Sequence, residues 1–176
     1  MKTDLRLLSS GLVSLLMLSC ALPGLSRQSE LPPGFVVASA ANARRAHESS
    51  SARLLNRIMT ADRTISLSES EPLLWGSGWC AASHEILEQN DEAIKTQLIV
   101  EGIQIDSDYY ASRDYGSNDP ADPTYCRSHY ILIDSWPQGP TCLEVRLAIP
   151  EPLSDGWDQY EPSVIAVPYC VHVGPQ

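Results

Sequence analysis

The chain has 176 residues, a length that suits one domain with or without a tail, and it carries 12 basic residues against 22 acids, a net charge of −10 at pH 7. That acidic excess argues against a nucleic-acid partner, because neutralising phosphates takes clustered Lys and Arg. Five cysteines in so short a chain make the redox compartment the first question.

The N-terminus places Lys2 and Arg6 before an apolar run at residues 7–18 and the small-residue stretch "SCALPG". These are the three regions of a secretory signal peptide, expected over residues 1–20. The run is too short for a hydrocarbon core that needs about 20 residues. Ser19 and Ala21 suit an ordinary signal peptidase. "LMLSC" also resembles a bacterial lipobox with Cys20 as the lipidated residue, although Met17 and Leu18 depart from that pattern. Both readings stay open, and a lipid on Cys20 is the only membrane attachment expected. Either way Cys80, Cys126, Cys142 and Cys170 remain, an even number that implies a disulfide framework in an exported chain.

Residues 21–70 carry six Arg against four acids, whereas residues 71–176 carry four basic residues against 17 acids and hold all the Trp and Tyr. Aromatic side chains supply large buried area, so the core is expected in the second part. The first part reads as a flexible tether, since "ASAANARRAHESSSAR" offers little apolar surface to offset ordering entropy. Within it, Leu54, Leu55, Ile58 and Met59 make one helical stripe, with Ser51 as a candidate N-cap.

From residue 71 the pattern is β. "AASHEILEQNDE" alone reads as a helix there. "IKTQLIV", the turn Glu101-Gly102 and "IQID" predict a hairpin. "HYILIDSW" is a strand and "PQGP" a turn. "CLEVRLAI" alternates, with Leu143, Val145, Leu147 and Ile149 inward. "VIAVPYCVHV" places Ile165, Val167, Tyr169, Val171 and Val173 on one face, and Pro168, lacking an amide donor, predicts an edge or a bulge. The expected fold is all-β: an Ig-like antiparallel sandwich with one short helix over residues 71–176.

"VEGIQI", "WPQGP" with its alternating strand, and "DGWDQYEP…YCVHV" resemble the hairpin and final strands of uncharacterised Ig-like modules of bacterial secreted and envelope proteins, across residues 79–173. The resemblance implies an extracellular or envelope setting and no activity of its own.

Strand parity selects a disulfide connectivity. If the last two long strands pair about a loop centred near Gly156, Cys142 falls opposite Cys170, both outward, within reach of a bridge. Cys80–Cys126 is then the second bridge. A competing reading makes Cys80 a nucleophile: "GWCAASHEIL" is similar to the nucleophile helix of papain-like peptidases, and His129 and Asp134 of "SHYILIDSW" would complete a cysteine hydrolase. Against it, Trp79 precedes Cys80 and no Gln stands just upstream for an oxyanion hole.

The stretch 106–122 concentrates five Asp and is the one candidate Ca²⁺ loop, but its spacing fits no EF-hand. No zinc motif and no cofactor fingerprint occurs, so no metal or cofactor is assigned. Trp157, Tyr160, Tyr109 and Tyr110 are candidate ligand contacts, because aromatic faces on loop rims can anchor a protein or glycan. The function expected is a non-catalytic binding or structural module of the cell envelope.

Overall fold

The computed structural model describes residues 31–54, 64–117, 119, 121 and 123–174. The expected signal peptide, Cys20, and most of the stripe at residues 54–59 lie outside them. Strand content dominates and most pairings are antiparallel. In chain order the elements are β1 Val36–Val37, α1 Ala40–Ser49, β2 Arg53–Leu54, β3 Thr64–Ser68, β4 Leu73–Ala81, α2 His84–Ala93, β5 Lys95–Val100, β6 Ile103–Gln104, a 3₁₀ turn Ser107–Tyr109, β7 Ala111–Ser117, β8 Thr124–Ser135, β9 Gly139–Ile149, β10 Leu153–Ser154, β11 Gln159–Tyr160 and β12 Ser163–Gly174.

Two five-stranded sheets result. The first runs β1-β8-β4-β2, with β7 also on β8; the second runs β3-β12-β9-β5-β6. Leu73, Trp75, Ile131 and Ile133 of the first meet Ile65, Leu98, Val100, Leu143, Val145 and Val171 of the second in one buried cluster. At about 25 cal/mol per Å² of apolar surface removed from water, these large side chains are the main source of stability. The opposite face of the first sheet is covered by α1, whose Ala43 and Ala46 pack on Leu74, Ala111, Tyr130 and Leu132.

The expected helix and hairpin are present. Ser83 caps α2 by accepting from the Ile86 N–H at 3.2 Å. Glu101 and Gly102 join β5 to β6 with φ of 50° and 78°, the left-handed pair that a two-residue turn between twisted strands demands. β9 and β12 pair in the expected register, Ser163 opposite Ile149 through Val173 opposite Gly139, about Gly156.

Two expectations need correction. The tether gives way to packed structure: β1 pairs β8, α1 lies on β8, and β3 pairs β12 in parallel with Ile65 and Leu67 buried. The boundary near residue 70 therefore does not separate core from linker. α1 escaped notice because its inner face is alanine, which leaves no apolar stripe. The sheets are not purely antiparallel, since β3–β12 and β2–β4 run parallel. The residues before Cys80 form continuous strand β4, in which a Cβ on Gly76 would lie 2.0 Å from the His129 carbonyl oxygen.

Candidate functional site

The cysteines settle the role of Cys80. Cys80 and Cys126 are opposed on β4 and β8 and joined by a disulfide, with Cα atoms 4.0 Å apart. Cys80 is thus a staple and lies in a strand, four residues before α2 begins. The hydrolase reading loses its nucleophile and also its orienting acid: His129 and Asp134, five apart on β8, point to opposite faces. Such a bond persists in oxidising compartments. No helix among the described residues is long and apolar enough to cross a membrane.

The second expected bridge is a correction. Cys142 and Cys170 are opposed as expected, but both thiols are free and exposed. Register fixes where the two Cα atoms stand; it does not fix the side-chain torsions of residues that nothing packs against.

His129 belongs to a polar cluster that the sequence did not reveal. Its Nε2 lies 2.6 Å from Asp91 Oδ1 on α2, and its Nδ1 lies 2.8 Å from Ser112 Oγ on β7. Two residues earlier, Arg127 donates through Nε to Asp114 at 2.7 Å, through Nη1 to Asp91 at 3.0 Å and through Nη2 to Glu88 at 2.8 Å. Hydrogen bonds from Arg127 hold the Glu88 and Asp114 carboxyls below their usual range, and the three carboxylates raise the guanidinium's already high pKa. The cluster clamps α2 and β7 onto β8. Ser112, His129 and Asp91 stand in series, but Asp91 shares its other oxygen with Arg127 and Ser112 lies on an exposed strand. A cue existed: Arg127 is one of four basic residues among 17 acids, and Glu88 and Asp91 share a helix face.

The acidic stretch is partly strand. Asp114 is on β7, Asp106 caps the 3₁₀ turn by accepting from the Asp108 N–H, and Asp122 lies outside the described residues. Among the described residues no group of three or more His, Cys, Asp and Glu side chains is placed to hold a metal ion.

The expected aromatic contacts divide. Tyr110 is a staple: its hydroxyl accepts from the Leu98 N–H at 2.8 Å and donates to the Ile105 carbonyl, and burial pushes its pKa up. Tyr160 stacks edge-on against Trp79 at 4.9 Å and donates to Asp155 Oδ2, which pushes it up to about 12. Burial works to raise the Asp155 carboxyl, but the N–H groups of Asp158 and Trp157 and the Tyr160 hydroxyl outweigh it and hold it below its usual range. Trp157, 50% exposed, and Tyr109, 40% exposed, remain open to solvent.

An unpartnered backbone edge among the described residues lies on β12, where Val164 is 61% exposed. The Cys142 N–H donates to Glu101 Oε1 and its carbonyl accepts from the Glu101 N–H, so both backbone groups face β5. Cys142 and Cys170 are therefore a non-hydrogen-bonded pair, and by alternation so are Pro168–Glu144, Ala166–Arg146 and Val164–Ala148. The backbone groups of Val164, Ala166 and Pro168 thus turn away from β9. β3 covers that side of β12 only at residues 170–174, and no other described strand pairs there. Pro168 sits where its missing N–H costs no ladder bond, as its edge placement required. Ile165, expected inward, is 37% exposed, because the buried cluster ends short of it.

No protein-family model matches the chain, and no curated protein matches it. Among solved structures, the crystal structure of the cysteine protease inhibitor EhICP2 from Entamoeba histolytica is similar at 10% identity, with a TM-score of 0.29, over 69% of this chain and 91% of that one.

Proposed function

We propose that the protein is an exported, non-catalytic binding module on an Ig-like sandwich, held in the extracellular space or cell envelope, with a lipid on Cys20 as its anchor where one is added. The residues at 163–169 of β12 dock an extended segment of a partner protein as an added strand. The single observation that carries this is the outward row of backbone groups at Val164, Ala166 and Pro168, uncovered among the described residues. A free edge invites pairing unless charge, proline or a bulge blunts it. Here only Pro168 does so, and β9–β12 pairing runs without a bulge. The excess of 17 acids over four basic residues in 71–176 favours a partner strand that carries Lys or Arg.

The test is a panning of displayed peptides against the full chain and against Ala166→Pro. Proline at 166 removes one outward N–H and leaves the β9 ladder intact, at the same parity that Pro168 already occupies. Enriched peptides that bind wild type and lose binding to Ala166→Pro support edge docking. Peptides that bind both alike refute it.

A further inference from the structure

The chain holds two cross-strand cysteine pairs, each opposed in strand register, which differ in bonding and in exposure. Cys80–Cys126 is bridged, with Cys126 buried. Cys142–Cys170 is directly opposed, non-hydrogen-bonded, exposed and free. Non-hydrogen-bonded antiparallel pairs bring Cα atoms to about 4.5 Å, within the range of disulfides. The first pair shows that this protein closes a bridge at opposed strand positions. Among the described residues both thiols of the second pair are exposed to an exchange partner.

We propose that Cys142 and Cys170 form a reversible dithiol–disulfide site, oxidised by a disulfide in solution, while Cys80–Cys126 stays a permanent staple. One thiolate attacks a sulfur of the external disulfide, whose S–S bond breaks and releases a thiol, leaving a mixed disulfide on the protein. The second cysteine gives up its proton and attacks the protein sulfur of that bond. The Cys142–Cys170 bond forms and the second external thiol leaves. Two electrons pass to the external disulfide, and the two protons lost by the cysteines end on the released thiols. Closure adds a covalent tie between β9 and β12 at the residue where β3 begins its pairing, and reduction removes that tie while the strand ladder stays paired.

The experiment incubates the full chain with oxidised glutathione, and in a second arm with the oxidised form of a CxxC oxidoreductase, followed by non-reducing peptide mapping. Expected is a Cys142–Cys170 cross-linked peptide pair in at least one arm; closure in the first arm identifies small disulfides as sufficient, closure in the second alone a protein oxidant. Under limiting dithiothreitol that pair reopens faster than Cys80–Cys126, on the order of tenfold or more, as exposed bonds exchange more readily. Cys170→Ser and Cys142→Ser, both at exposed positions, each trap a single stable glutathione adduct on the remaining cysteine. Cys20 is read on its own peptide. Two persistent glutathione adducts on the wild type, no reaction in either arm, or a closed pair that reopens no faster than Cys80–Cys126 overturns the proposal.

Discussion

Arg127 on β8 and Asp91 on α2 are joined at 3.0 Å, and the same guanidinium also reaches Glu88 and Asp114. One side chain, 17% exposed, thereby ties a helix and an edge strand to the first sheet. Arg127→Met is expected to destabilise the protein by about 1–3 kcal/mol: charge-assisted hydrogen bonds are lost, and the value is discounted for partly exposed carboxylates. Thermal unfolding measures it. Amide exchange should rise first in α2 and β7. A melting temperature equal to wild type would mean the cluster is decorative.

Acid should act through the same residues. The Glu88, Asp114 and Asp155 carboxyls are held below their unfolded values. Depressed groups contribute stability that is fully present above the unfolded carboxylate pKa of about 4 and is lost as pH falls through the folded values. The melting temperature should therefore drop as pH is lowered below about 4, and less steeply in Arg127→Met, which keeps only the Asp155 contribution.

Alkali tests the loop between β9 and β12. Tyr160 is raised to about 12 by its bond to Asp155. A raised group contributes stability present below its unfolded pKa, about 10, and lost as pH climbs through the folded value. An ultraviolet titration should show a late tyrosine component reaching about 12, and Tyr160→Phe should reduce it by one tyrosine while the delayed ionisation of Tyr110 and Tyr130 remains. A titration unchanged by Tyr160→Phe contradicts the assignment.

Ser112, His129 and Asp91 are hydrogen-bonded in series, the composition of a serine hydrolase. On the present account they are structural ties. A fluorophosphonate probe should leave Ser112 unlabelled, and Ser112→Ala should shift the melting temperature only slightly. Stoichiometric labelling of Ser112 would revive a catalytic reading through a residue the sequence did not suggest.

Long alternating strands were legible. Leu143, Val145 and Val171 are buried where period-2 alternation put them, and the Cys142–Cys170 register follows from the same parity. "TISLS" carries the same signal in five residues, yet it sits among polar tether residues and passes unnoticed. α1 is invisible to an apolar stripe because its contacts are made by Ala43 and Ala46. Parallel pairing of β3 with β12 joins residues more than a hundred apart, which local pattern does not encode. The Arg127 cluster draws on α2, β7 and β8, so it exists only once the topology is known. The edge left uncovered among the described residues was foreshadowed by Pro168 alone.

The central claim is that, among the described residues, positions 163–169 of β12 are bonded on one side only, and residue-resolved amide hydrogen exchange on the full chain measures that directly. The account predicts alternation: the Ile165 and Val167 amides, bonded to β9, exchange slowly, while those of Val164 and Ala166 exchange fast and become protected when a peptide strand docks. Slow exchange at all four amides in the free protein would show that the edge is already covered and would contradict the account.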